Sequence, residues 1–123
     1  MRIGVPRETA AGERRVAVAA LLEPARTVGG DFYDCFMLDA DRLFFVVADV
    51  SGKGLPASLF MASVKNILKS AAHATQGRLG RVFARAQAQT RDENPESLFV
   101  TAFVGVLDLR SGHLEFVNAG HEP

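Results

Sequence analysis

Two aspartates in this sequence stand where a carboxylate is free to do chemistry. In VVADVSGKGLPAS (46–58) an apolar run ends in Asp49, and Gly52 and Gly54 flank Lys53 before Pro56. In VGGDFYD (28–34) Asp31 follows directly on Gly29 and Gly30. Hard divalent cations such as Mg²⁺ and Mn²⁺ take oxygen ligands, so two carboxylates brought together would form a cation site. Kept apart, Asp31 is a turn acid and Asp49 a helix cap. Two phosphate-binding patterns fail on context. GKGLPA (52–57) satisfies the loose dinucleotide pattern G-x-G-x-x-G/A, but that unit needs a second strand ending in an acid about 20 residues on. Here two helical segments intervene and no strand is predicted before Leu98. A P-loop would need Ser or Thr after Lys53, where the sequence has Gly54. No Cys, Ser or His stands in an evident nucleophilic constellation.

The elements around these acids decide which reading holds. The β-branched and aromatic run 43–50 reads as a buried strand, and 28–38 as another, with DADR (39–42) as the turn between them. A hairpin turning there pairs residues whose numbers sum to about 80 or 81, which sets Asp31 opposite the Asp49–Val50 step. The two carboxylates then meet on neighbouring strands, and without a cation they would repel and raise one pKa. From Ala57 the apolar residues Phe60, Val64, Ile67, Leu68 and Ala71 recur at helical spacing until Gly77. Leu79, Val82, Phe83 and Ala86 form a second such stripe, with Arg81, Arg85 and Arg91 largely off it. Residues 15–22, 98–108 and 113–120 complete the strands, the order being three strands, two helices and two strands: an α+β fold.

Composition narrows the function classes. Lys and Arg total 14, as do Asp and Glu, so no charge excess steers the chain to nucleic acid or anionic lipid. The single cysteine, Cys35, excludes an internal disulfide framework and a cysteine zinc cluster, and suits a reducing compartment. No apolar run approaches the roughly 20 residues of a membrane span, and the charged N-terminus has no signal-peptide core. The expectation is a cytoplasmic chain without nucleic-acid or membrane partners.

Four stretches, PARTVGGDFYD, VVADVSGKGLPASLFMA, LFVTAFVGVLD and LEFVNAGHEP, in this order and at these separations, resemble the metal-dependent PPM-type protein phosphatases of the SpoIIE and RsbU branch. The resemblance covers about residues 15–123. It implies the first half of an α-β-β-α sandwich and a two-metal Mn²⁺ or Mg²⁺ centre that hydrolyses phosphoserine or phosphothreonine. Matched residue by residue, it makes Asp31 and Asp49 metal ligands and catalytic acids, adds the backbone carbonyl of Val50, and sets Gly52, Lys53, Asn118 and His121 near the site. The family often acts on anti-sigma factor antagonists, so a phosphorylated regulatory protein is the implied substrate. Its further metal-binding acids lie beyond NAGHEP, so the expectation is a truncated domain of impaired activity, with apolar strand edges open to self-association. The alternative is a non-catalytic scaffold fragment of the same fold.

MRIGVPRETAAGERRVA (1–17) is similar to the start of alanine dehydrogenase and of the transhydrogenase alpha subunit. A join of two unrelated openings would make residues 1–14 a segment of foreign origin, 15–123 the phosphatase-like domain, and an NAD-linked fragment a distant alternative. His73 and His113 read as a helix-surface and a hairpin residue. His121, as a lone histidine, reads more readily as a hydrogen-bonding loop residue than as a ligand or acid.

Overall fold

The computed structural model of the chain describes residues 2–4, 19–21, 31–52, 54–92 and 98–121. Strands β1 (Arg2–Gly4) and β2 (Ala19–Leu21) pair antiparallel, with Ile3 opposite Ala20. This pair bridges the two sides of the boundary expected near residue 14. Strands β3 (Asp31–Met37), β4 (Arg42–Val50), β5 (Val100–Asp108) and β6 (Leu114–Ala119) form one antiparallel sheet in the order β3-β4-β5-β6. Helices α1 (Gly54–Ala74) and α2 (Leu79–Asp92) connect β4 to β5. The expected α+β fold is the one observed.

Each hairpin turn is held by an aspartate. Asp39 Oδ1 accepts the backbone N–H groups of Asp41 (3.0 Å) and Arg42 (2.9 Å), and its Oδ2 accepts Arg42 Nε at 2.7 Å. That hydrogen bond from Arg42, with the backbone donors, holds the Asp39 carboxyl below the usual carboxylate range. Asp108 does the same for the β5–β6 turn through the N–H groups of Arg110 and Ser111. Short acidic side chains thus fix both registers, and the register of β3 on β4 is what brings Asp31 to Asp49.

Alternation along the strands splits the sheet into two faces. Phe32, Phe44, Val46, Ala48, Val50, Ala102, Val104 and Val106 turn to one face, where they form a single buried core with Phe60, Val64, Ile67, Leu68 and Ala71 of α1 and Leu79, Val82 and Ala86 of α2. The periodicity located both helical stripes, and Arg81, Arg85 and Arg91 are exposed. Helix α1 starts at Gly54, three residues before Ala57, and the apolar stripe does not mark that start because Leu55 and Pro56 are exposed. Pro56 is tolerated there since first-turn N–H groups have no intrahelical acceptor. The opposite face carries Phe45 and Phe103 with ring centroids 6.1 Å apart, and Phe116 stacked on Phe103 at 5.4 Å. Gly105 leaves room for this ladder, since a Cβ there would strike the Phe45 ring.

Helix α1 gives way after Ala74 to a turn closed by Gly77, whose φ of 73° lies in the left-handed region and whose N–H donates to the Ala72 carbonyl at 2.8 Å. Leu38 of the β3–β4 turn packs directly over this glycine. Gly77→Ala forces a side chain into the left-handed region at about 1–2 kcal/mol and pushes a methyl group onto Leu38. The expected outcome is a melting temperature lower by about 5 °C or more. An unchanged melting curve would show that the turn relaxes freely.

Candidate active site

The register places Asp31 directly opposite Asp49. Directly opposed residues in an antiparallel pair project to the same face, with Cβ atoms about 4.5–5.5 Å apart. Both side chains are exposed. The Asp49 carboxyl is nevertheless pushed above the usual range, first by loss of hydration, then by a hydrogen bond with Asp31 and by the Asp31 charge, while His121 pulls the other way. Asp49 does not cap a helix: it is the penultimate residue of β4, and α1 begins five residues later at Gly54. Val50 turns its side chain into the core, 2 % exposed, so only its backbone carbonyl is available to a site.

The loop after β4 is tied to the start of β5. Ser51 donates its N–H to the Phe99 carbonyl at 2.8 Å, and Ser51 Oγ accepts the Phe99 N–H at 2.9 Å. Gly52 has φ of 99°, which L side chains rarely adopt, and a Cβ there would lie 3.2 Å from Leu98 Cδ2, so a larger residue would be strained and would press on Leu98. Lys53 lies outside the described residues.

Asp49 is opposed on its other side by Thr101 of β5, a residue the sequence reading did not single out. Thr101 Oγ1 lies 3.3 Å from His121 Nδ1. Asn118 holds the backbone of His121 from both sides: its Oδ1 accepts the His121 N–H at 2.9 Å and its Nδ2 donates to the His121 carbonyl at 3.1 Å. Gly120 supplies the turn with φ of 75° and bridges to Ala102. The row Asp31, Asp49, Thr101, His121 therefore crosses the sheet at one end. The Asn-x-Gly spacing before His121 is a local turn signal, whereas Thr101 enters only through the pairing of β4 with β5.

Other acids stay away from this row. Asp34 lies three residues along β3, on the helix-facing side, and its Oδ1 accepts the Cys35 N–H at 2.9 Å. Asp108 caps the turn at the far end of β5. Neither completes a ligand set with Asp31 and Asp49, and among the described residues no three His, Cys, Asp or Glu side chains cluster as a metal site. The paired carboxylates, one of them resisting ionisation, are still the donor set a hard cation neutralises. The residues present fit one cation held partly by protein. His73 stacks on Phe36 at 4.9 Å, and His113 lies in the β5–β6 turn region, so neither belongs to the row. No helix among the described residues is long and apolar enough to cross a membrane.

Comparison with known proteins points the same way. Residues 39–123 match the family described as Stage II sporulation protein E (SpoIIE). Protein IcfG of Synechocystis sp. is 34% identical, the match covering 86% of this chain and 21% of IcfG. The phosphoserine phosphatase RsbU of Bacillus subtilis is 29% identical over 90% of this chain and 32% of its own length. The chain thus spans about a fifth of one relative and a third of the other. The crystal structure of the RsbU and RsbW domains of Rv1364c from Mycobacterium tuberculosis superposes with a TM-score of 0.64 at 30% identity, covering 82% of this chain and 28% of that one. These relatives lend no support to a dehydrogenase origin for residues 1–17.

Proposed function

This chain belongs to the SpoIIE family of PPM-type phosphatases, and from that premise we propose that it contributes Asp31 and Asp49 to the metal centre of a serine/threonine phosphatase. The observation that carries the reading is the direct cross-strand pairing of the two carboxylates, with Asp49 resisting ionisation beside Asp31. Asp31, Asp49 and the Val50 carbonyl would hold Mn²⁺ or Mg²⁺. Bound there, the cation would supply Lewis-acid activation of water and charge stabilisation for the phosphoryl group. The chain's own contribution is positional. The sheet register fixes the spacing of the carboxylates, the Ser51–Phe99 tie fixes the loop that presents the Val50 carbonyl, and Gly52 keeps the approach open.

The substrate proposed is a phosphoserine or phosphothreonine on a regulatory protein of the anti-sigma factor antagonist type. The similarity to RsbU, named a phosphoserine phosphatase, supports it. A two-metal centre asks for more ligands than two carboxylates and a carbonyl, so turnover by this chain is expected to be weak. The same ligand count favours a second reading, a scaffold that binds its partner without catalysis. Self-association through edge strand β6, where Leu114 and Phe116 are exposed, belongs to either reading.

Hydrolysis of an aryl phosphate separates the two readings. The phosphatase reading expects slow, Mn²⁺-dependent turnover that falls to the no-protein rate in Asp31→Ala. No Mn²⁺-dependent turnover at any protein concentration, or turnover that survives Asp31→Ala, removes the catalytic reading and leaves the scaffold.

A further inference from the structure

Thr101, Asn118 and His121 are each tied to the end of the sheet that carries Asp31 and Asp49, by contacts that the metal ligands do not need. Asn118 uses both ends of its amide on the backbone of His121, which removes the freedom of the turn after β6. Gly120 keeps that turn against β5: it bridges Ala102, and a Cβ there would touch Thr101 Cγ2 at 3.7 Å. The imidazole then meets Thr101 through Nδ1 at 3.3 Å. Thr101 is itself the cross-strand neighbour of Asp49, and the charge of His121 is felt at the Asp49 carboxyl. His121 is thus held by three contacts, two to its backbone and one to its ring.

The direction of the Thr101 hydrogen bond decides what the ring can do. Among the hydrogen bonds of the described residues the Thr101 hydroxyl has one side-chain partner, His121 Nδ1. A half-buried hydroxyl gives its proton to an acceptor when one is in reach, and a neutral imidazole accepts on one nitrogen only. Donation from Thr101 to Nδ1 would leave the ring proton on Nε2. An Nε2–H donor then stands at the end of the sheet that carries a carboxylate pair a cation has to neutralise. An anionic phosphoryl oxygen drawn to that cation needs such donors, and two carboxylates supply none.

We propose that the Nε2–H of His121 donates a hydrogen bond to a phosphoryl oxygen of the substrate, and that Thr101 and Asn118 are positioning residues that set its tautomer and its place. The proposal rests on the phosphatase reading of Asp31 and Asp49. It assigns His121 to substrate and not to metal, and it identifies the ligand class as a phosphate monoester dianion.

The test uses the full chain with Mg²⁺ and phenylphosphonate, a phosphate monoester mimic that cannot be hydrolysed. Long-range ¹H–¹⁵N spectra of the wild type should show His121 as the Nε2–H tautomer, and Thr101→Val should mix the tautomers. Phenylphosphonate affinity should fall about tenfold in His121→Ala, the size of one hydrogen bond to a charged group. His121→Gln, whose amide N–H replaces Nε2–H, should recover most of it. Stabilisation by the cation alone should be the same in all three proteins. An Nδ1–H tautomer, absent phosphonate binding by the wild type, unchanged affinity in His121→Ala, or loss of the cation's stabilisation in His121→Ala overturns the proposal. The last outcome would make His121 a metal ligand. Failure of the metal reading itself shows elsewhere, as a wild-type chain whose melting Mn²⁺ does not change.

Discussion

Asp49→Asn abolishes the rise in melting temperature that Mn²⁺ gives the wild type and, without metal, leaves the fold more stable than the wild type at neutral pH. The two halves of this expected result have one cause. Asp31 and Asp49 are directly opposed, and the Asp49 carboxyl is raised above its usual range by lost hydration and by Asp31. In a group raised on folding, the native state holds its proton more tightly than the unfolded chain does. Stability then falls as pH rises from the unfolded pKa, in the ordinary carboxylate range, through the higher folded one. At neutral pH the ionised pair is a net cost. A cation that binds only the folded chain reverses this, and at ten times its dissociation constant it stabilises by about 1.4 kcal/mol. Asparagine removes the repulsion and the ligand together, so the variant should melt higher than the wild type without metal and ignore Mn²⁺. It should also lose the part of the pH dependence that lies above the ordinary carboxylate range. Thermal melts with and without millimolar Mn²⁺, repeated between acid and neutral pH, check all three. A wild type indifferent to Mn²⁺ would sink the idea of a preformed cation site.

Phe44→Ala should destabilise the chain by about 3–5 kcal/mol, the range for emptying a buried aromatic position. Phe44 is 0% exposed near the start of β4, and its ring stacks on Phe36 at 4.9 Å. Phe36 in turn carries His73 at 4.9 Å and has Lys69 Nζ over its ring at 5.2 Å, so the loss would loosen the contact between β3 and α1. Domains of this size are stable by only about 5–15 kcal/mol in all, which makes the variant marginal at room temperature. Urea titration should place its midpoint well below that of the wild type, and Phe44→Leu should fall between the two. Equal midpoints for Phe44→Ala and wild type would mean that the sheet and helices do not share one core. Because β4 carries Asp49 five residues along from Phe44, the same variant should also weaken the Mn²⁺ response.

Much of this protein is written in local pattern. The apolar runs of β4 and β5, the helical stripes of α1 and α2, and the turn at 39–42 are short-range features, and periods of 2 and 3.6 report them from sequence alone. The meeting of Asp31 and Asp49 was legible for the same reason: a tight hairpin turn counts residues equally on both sides, so the turn position fixes the partner. The start of α1 was legible only through Pro56, which suits a first helical turn, because the exposed residues there leave no apolar signature. Thr101 stayed hidden for a deeper reason. It lies 52 residues from Asp49, and β5 could return beside β4 in many registers as far as its own apolar run is concerned. Packing of Val104 and Ala102 against the helices selects one register, and that choice sets Thr101 next to Asp49. Asn118 and His121 follow from it, since β6 takes its place from β5. Local chemistry thus determined the carboxylate pair, while burial summed over the whole core decided which donors stand beside it.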